Sequence, residues 1–386
     1  AEHLADSLVP YTLGGTVLTY LLTRNVTKAL SILMVDFSCA LKLAMPITVL
    51  SAIRQAGQND ITVKGGKFLE AVADADTIVF DKTGTLTKAA PTVKCVYSFN
   101  GDNEDELLRM AACMEEHFPH SMAKAVVDAA ERKNLSTKVE YIVAHGISTT
   151  INNKKTIIGS YHFVFEDEGC HIPEGKEEMF DKLPTQYSHL YLAIEDKLAA
   201  VICIEDPVRP EAYEVIARLK ELGISKVVMM TGDSERTAKA IAGIVGVDEY
   251  YSEVLPEDKA SFVEKEKNAG RKVVMIGDGI NDSPALSAAD VGIAISDGAQ
   301  IAREIADITV SADNLLQIAF LKDLSNNLIK KINRNYRTIV SFNSVLIVLG
   351  VLGIIPPTTS ALLHNTSTLL ISMNSMKDIP VESGCR

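Results

Sequence analysis

The stretch Ile78-Val79-Phe80-Asp81-Lys82-Thr83-Gly84-Thr85-Leu86-Thr87 decides how this chain is read. Ile78–Phe80 is a short apolar run of residues that favour strands, and it stops on a carboxylate. An acid at a strand tip, beside a lysine, a glycine turn and small hydroxyl residues, has the make-up of a phosphate-handling nucleophile. Glycine and threonine let backbone N–H groups come close to phosphate oxygens.

Two strands of the same kind follow. Lys226–Met230 ends on Thr231-Gly232-Asp233, and Val273–Ile276 ends on Gly277-Asp278-Gly279. Helical patterns come next, over Glu235–Val245 and Asp282–Ala289, and Pro210–Leu222 reads as a helix closed by Gly223. Strand, polar loop and helix in repetition make a doubly wound parallel sheet, an α/β fold that binds ligands at the carboxyl ends of its strands. Three acids, Asp81, Asp233 and Asp278, arrive at that edge. Asp278 and Asp282 are four residues apart with Asn281 between them, and both can face Asp81 if a helix starts near Asp282. Carboxylates without Cys or His suit magnesium, which bridges to phosphate. Lys259 can neutralise a transferring phosphoryl group, while the Thr231 hydroxyl and the Gly232 N–H can hold its other oxygens.

Between Lys88 and about Ala200 the pattern changes. Short β-rich runs (Thr92–Phe99, Ile142–Ile151, Thr156–Ile158, Leu190–Ile194) alternate with helical ones (Glu104–Glu116, Met122–Asn134). This is a second α/β unit inserted after the first strand. The expected boundaries are 77–92 and 201–330 for the two parts of the first unit and 93–200 for the insertion.

The two ends of the chain are different in kind. Leu8–Leu22 carries no charge, Ala29–Ile53 only Asp36 and Lys42, and Thr338–Met376 none, with Pro356-Pro357 dividing it into Ile339–Ile355 and Thr358–Met376. A membrane-spanning helix needs about 20 mostly apolar residues. The expectation is four transmembrane helices in two hairpins, over 1–76 (with a link) and 331–386. Lys330, Lys331, Arg334 and Arg337 crowd the entry to the third span and place the middle block in the cytoplasm, against the weaker opposite signal of Arg24 and Lys28. No basic segment or cleavage site marks a signal peptide.

The 386 residues carry 38 basic and 50 acidic side chains, a net charge of −12, which argues against nucleic acid as a partner. Six scattered cysteines without a CxxC pair exclude a disulfide framework and a zinc finger, and suit a reducing compartment.

With these motifs together, the chain resembles the C-terminal part of a P-type ATPase of the heavy-metal (type IB) branch. Asp81–Thr87 reads DKTGTLT, Thr231–Asp233 reads TGD, Asp206–Pro210 reads DPVRP, and Gly277–Leu286 reads GDGINDSPAL, in the family's order. The resemblance implies a haloacid-dehalogenase-like phosphorylation domain with an inserted α+β nucleotide-binding domain. It implies that Asp81 is phosphorylated by ATP, that Asp278 ligates magnesium and that Thr83 offers the metal a carbonyl. It assigns Lys82, Thr231, Gly232, Asp233, Lys259, Asn281 and Asp282 to the catalytic site. Glu116, His120, Gly146 and Gly159 are the implied nucleotide residues, with Ser121 where the family has Pro and Ala144 where it has Gly.

The family usually carries Cys-Pro-Cys in the span before the phosphorylation domain. Here the aligned segment is Phe37-Ser38-Cys39, with one thiol left. One Cys with a hydroxyl and Asp36 nearby, plus His364 in the last span, suits a divalent ion such as manganese, iron(II), cobalt, zinc or cadmium better than copper(I). Polar groups inside membranes are usually functional, although Cys39 could simply pack and His364 sit at the interface. Lys42, where the family has Gly, either supplies a counter-charge to the emptied site or snorkels to the cytoplasmic face. No Thr-Gly-Glu actuator sequence occurs, so a piece of a longer plasma-membrane pump is expected, its actuator region lying elsewhere. Two other classes stay open. A haloacid-dehalogenase phosphatase would carry a second Asp where Thr83 stands. A non-catalytic metal-binding membrane protein would leave the convergent acids without a role.

Overall fold

The computed structural model describes residues 2–35, 37–88, 90–115, 121–133, 148–151, 154–278, 282–295, 304–311 and 314–381. The chain divides into two compact units. One comprises Ala1–Ala75, Asp307–Ser311 and Leu316–Arg386; the other comprises Asp76–Ala306 and Ala312–Leu315.

The first unit is helical. It opens with α1 (Glu2–Thr23), α2 (Val26–Leu33) and α3 (Phe37–Gly57). Strand β1 (Ile61–Val63) and helix α4 (Gly66–Asp74) follow.

The second unit begins with β2 (Thr77–Asp81). Its inserted part contains β3 (Thr92–Ser98), α5 (Glu104–Glu115), α6 (Ser121–Arg132), β4 (Ser148–Ile151), β5 (Lys154–Gly159), α7 (Glu177–Asp181), β6 (Ser188–Ile194) and β7 (Lys197–Glu205). The chain then returns through α8 (Ala212–Glu221), β8 (Lys226–Met230), α9 (Glu235–Val245), β9 (Glu249–Tyr251), α10 (Pro256–Asn268), β10 (Val273–Gly277), α11 (Ser283–Ala288) and β11 (Val291–Ile295). The first unit resumes with β12 (Ile308–Val310), antiparallel to β1, then α12 (Leu316–Val351) and α13 (Pro357–Ser375).

In the second unit β11, β10, β2, β8 and β9 lie side by side in that order, all parallel. Every residue of β2, β10 and β11 is buried. Helices cover both faces of such a sheet, so its central strands read as unbroken apolar runs. β2, with Asp81 at its tip, lies between β8 and β10. That order brings Thr231-Gly232-Asp233 to one side of Asp81 and Asp278 to the other.

The insertion forms its own antiparallel sheet, ordered β3-β7-β6-β5-β4. Its entry and exit strands pair, Thr92 opposite Glu205, so the insertion adds to the sheet-bearing unit without breaking it. β7 runs unbroken through Ala200 to Glu205, five residues past the boundary expected from sequence. Helices α5 and α6 bury Leu107, Leu108, Ala111 and Val126 against Ile158, Leu192 and Ile202 of this sheet. Burying a leucine-sized side chain is worth roughly 1.5–3 kcal/mol, so this core contributes substantially to holding the insertion together.

In the helical unit, one stretch among the described residues, Val26–Gly57, is long and apolar enough to cross a membrane. Within it the backbone breaks between Leu33 and Phe37. The sequence expected four spans. The segment Thr358–Met376 falls mostly on α13, where His364, Asn365, Thr366, Ser367, Thr368, Asn374 and Ser375 lower the mean hydropathy despite the absence of charge.

Candidate active site

The site grows from the tip of β2. Past Asp81 the chain turns through Thr83, which is extended, and Gly84, whose φ of 74° falls in the left-handed region that a side chain disfavours. This turn folds Thr87 back onto Lys82: the Thr87 hydroxyl lies 3.2 Å from Lys82 O and accepts from Gly84 N at 3.2 Å. The segment Asp206–Pro210 braces the turn from outside. Thr87 Oγ1 donates to Asp206 Oδ2 at 2.5 Å, Arg209 Nε donates to Thr87 O at 3.2 Å, and Arg209 N to Leu86 O at 2.9 Å. DPVRP therefore works as a buttress for the nucleophile loop, a role its sequence did not disclose.

Three charged side chains, Asp81, Lys259 and Asp282, meet at the tip of β2. Lys259 Nζ, from the first turn of α10, lies 2.7 Å from Asp81 Oδ1 and 2.7 Å from Asp282 Oδ1. All three residues are buried. Burial, and then the neighbouring Asp282 carboxylate, outweigh Lys259 and push the Asp81 carboxyl up to about 7. Burial also raises Asp282. For Lys259, burial favours the neutral amine, but the two carboxylates outweigh it and keep the ammonium charged. Gly277 makes the cluster possible. A Cβ there would lie 2.4 Å from Asp282 Oδ2, so only glycine lets that carboxylate turn beneath β10.

A second cluster sits beside the first. Lys82 Nζ pairs with Asp233 Oδ2 at 2.5 Å, and Asp233 also accepts from Ser188 Oγ at 2.8 Å and Thr231 Oγ1 at 2.9 Å. Burial alone would raise Asp233, but Lys82 and the two hydroxyls outweigh it and hold the carboxyl below its ordinary range. The Thr231 backbone braces the loop that leads into α10, through Thr231 N to Tyr251 O and Val254 N to Thr231 O, both 3.0 Å. The Thr231 hydroxyl, expected to face a phosphoryl oxygen, is thus engaged with Asp233. Gly232 is exposed at the strand tip.

The donor set fits a magnesium ion bridging to phosphate. Asp282 Oδ2 and Thr85 Oγ1 are buried without a hydrogen-bond partner, as is Asp206 Oδ1. A buried polar atom left unsatisfied costs about 1–3 kcal/mol, and is expected where a ligand completes the shell. Among the described residues no group of three or more His, Cys, Asp or Glu gathers to hold a metal by itself. Magnesium commonly uses one or two carboxylates with substrate phosphate and water, and Asp81, Asp278 and the Thr83 carbonyl stand in the right segments for that.

With this geometry in hand, the comparisons speak directly. A family profile for haloacid dehalogenase-like hydrolase matches residues 75–290, the span that holds both clusters. The chain belongs to the haloacid dehalogenase-like hydrolases. Within that family it is homologous to heavy-metal P-type ATPases. It is 35% identical over 383 residues to a zinc-exporting P-type ATPase of Mycobacterium marinum, covering 97% of this chain and 52% of that protein. It is 34% identical over 383 residues to a manganese-exporting P-type ATPase of Mycobacterium leprae, covering 97% of this chain and 53% of that protein. A crystal structure of a zinc-transporting PIB-type ATPase in the E2.Pi state superposes with a TM-score of 0.73 at 28% identity, covering 96% of this chain and 62% of that one. This hydrolase chain therefore spans about half the length of the curated relatives it matches.

Of the expected nucleotide residues, Glu116, His120 and Gly146 lie outside the described residues, as do Asn281 and Asp36. Gly159 ends β5, where a Cβ would lie 2.7 Å from the Phe163 ring, so a close ring already requires glycine there. The acid that the structure singles out is Glu115. It is buried at the end of α5, its Oε2 has no partner, and burial pushes its carboxyl up to about 7. Glu115 was not anticipated from the sequence; it directly precedes the expected Glu116.

In the helical unit Ser38 is half-buried and Cys39 exposed on α3, whereas His364 is buried on α13. His364 Nδ1 lies 3.1 Å from Asn343 Oδ1 of α12, and Asn343 Nδ2 is buried without a partner. Asn343 was not anticipated. Its only signal was an amide in an uncharged, apolar segment.

Proposed function

We propose that this chain is the catalytic and C-terminal membrane portion of an ATP-driven exporter of a divalent transition-metal ion. The observation that carries the reading is the Asp81–Lys259–Asp282 cluster at the tip of β2. One ammonium serves two carboxylates, and one carboxylate oxygen remains open.

In this mechanism Asp81 attacks the γ-phosphorus of ATP, the bond to ADP breaks, and an aspartyl phosphate remains. Lys259 stays charged and neutralises the transferring group, Asn281 and Asp282 orient it, and Asp278 would hold magnesium. Bound magnesium would offset phosphate charge and align the phosphoryl group. Lys82 holds the Asp233 loop in place. No acid follows Asp81 by two residues, since Thr83 stands there, so a fast general acid for hydrolysis is lacking and the phosphoryl group is retained. Glu115, with the nearby Glu116 and His120, is assigned to the nucleotide site.

Exposed apolar side chains support four membrane spans: Leu18, Leu21 and Leu22 on α1, Leu43 and Leu50 on α3, Val345 and Val348 on α12, and Leu369 and Leu370 on α13. Apolar surface on this scale marks a contact with lipid or a partner. For the transported ion we assign Cys39, Ser38 and His364. If Asn343 Oδ1 accepts from His364 Nδ1–H, the imidazole keeps its Nε2 lone pair for a metal. Zinc and manganese are the candidates suggested by the relatives, and the plasma membrane is the proposed location.

Labelled ATP with magnesium tests the reading. A stable, hydroxylamine-sensitive label, stimulated by zinc or manganese in the full-length pump and lost in Asp81→Asn, is expected. Fast release of phosphate would instead identify a phosphatase, and absence of label would refute catalysis.

A further inference from the structure

Lys322 has no part in the chemistry above, yet it is one of the most deeply buried charges in the molecule. It lies in the second turn of α12 and is 2% exposed. Its ammonium donates to three backbone carbonyls, Val72 O at 2.9 Å, Ala73 O at 2.8 Å and Ala75 O at 3.0 Å. These carbonyls close α4, at the helix end where intrahelical donors run out and the dipole favours a cation.

The position of this helix end in the chain gives the contact its meaning. Ala75 is the last residue of the helical unit before the sheet-bearing one. Asp76, next in line, is already locked into the other unit: its N–H donates to Lys272 O at 3.1 Å, and its carbonyl accepts from Ser225 N at 2.8 Å and Ser225 Oγ at 3.0 Å. β2 then runs directly to Asp81. On the other side, Leu315 N donates to Glu211 Oε1 at 3.4 Å, and α12 starts at the following residue. The Lys322 contacts thus lie within the helical unit, at its last residues before the chain enters the sheet-bearing one.

Helix capping alone does not call for this arrangement. Burying an ammonium is expensive, and well-packed apolar residues often replace buried charges without loss of stability. A directional clasp with three acceptors does something that packing does not. It fixes the register of α12 against the end of α4, because a slip of either helix breaks bonds rather than sliding over a smooth surface.

We propose that Lys322 is a positioning residue for phosphorylation. It clasps α12 to the α4–β2 junction, so that movement of the membrane helices reaches Asp81 instead of dissipating at residues 75–76. This rests on the pump reading above.

The test uses the full-length pump, labelled ATP, and zinc or manganese. Lys322→Met is expected to leave metal-free labelling of Asp81 within about twofold, while metal stimulation falls by about tenfold or more, a typical coupling magnitude. Lys322→Arg, which keeps a cation and several donors, is expected to restore most of the stimulation. Lys322→Gln, which removes the charge and cannot hold all three carbonyls, serves if the methionine variant does not fold. Unchanged metal stimulation in Lys322→Met or Lys322→Gln, even with a lowered melting temperature, would make the residue a cap and overturn the inference. A parent pump whose labelling ignores both metals would instead overturn the pump reading, and this inference with it.

Discussion

Two acid–lysine clusters stand side by side at one sheet edge, and they behave in opposite ways. Asp233 has one lysine and two hydroxyls to itself, and its carboxyl is held below the ordinary range. Asp81 shares Lys259 with Asp282, and its carboxyl is raised to about 7. Burial is similar in both. The difference lies in how many donors each carboxylate receives. A saturated cluster holds structure together; an undersupplied one is where the proposed cation and phosphoryl group would add the missing charge balance.

The largest expected effect lies on the saturated side. Lys82→Met leaves Asp233 buried without its cation, and breaking a buried pair in this way costs roughly 3–5 kcal/mol. Urea unfolding of the 386-residue chain measures it. A change below about 1 kcal/mol would mean that the hydroxyls suffice and that the contrast between the clusters is overstated.

Gly277→Ala attacks the other side. A Cβ there collides with Asp282, and overpacking of this kind costs roughly 1–3 kcal/mol. Labelling of Asp81 should drop by far more than stability does, by at least about tenfold, because misplacing a catalytic group by an ångström can cost about a hundredfold. Equal losses in both measurements would reduce Gly277 to a packing residue.

The smallest effect has an unusual sign. Asp81 has a raised folded-state pKa, so its contribution to stability is full below about pH 4 and is lost as pH rises through about 7. Above pH 7, Asp81→Asn removes a strained charge and leaves Lys259 paired with Asp282. The melting temperature of the magnesium-free protein should then rise by roughly 2–4 °C, about 1 kcal/mol. A lower melting temperature for the variant at pH 8 would show that Asp81 is as well satisfied as Asp233.

Much of this was legible in the order of residues. Apolar strands capped by acids announced a parallel sheet with its ligands at the carboxyl edge, because side chains of a doubly covered strand have nowhere to go but the core. The DKTGTLT, TGD and GDGIND segments pointed to Asp81, Asp233 and Asp282 from the order of residues alone. The partners of these residues were not legible. That Lys82 turns to Asp233 while Lys259 reaches Asp81 depends on strands far apart in sequence lying next to each other. The burial of Glu115, the place of Asn343 beside His364, and that of Asp206 and Arg209 behind Thr87 depend on which way each side chain faces.

The sequence by itself determined the class of fold, the carboxylate at the tip of the first strand and the apolar character of the two ends, since these follow from local composition and periodicity. Only the tertiary structure decided which carboxylate is starved of donors, which lysine holds it and where Lys322 is clasped. Electrostatic character belongs to the set of neighbours around a group, and that set is assembled only when distant segments fold together.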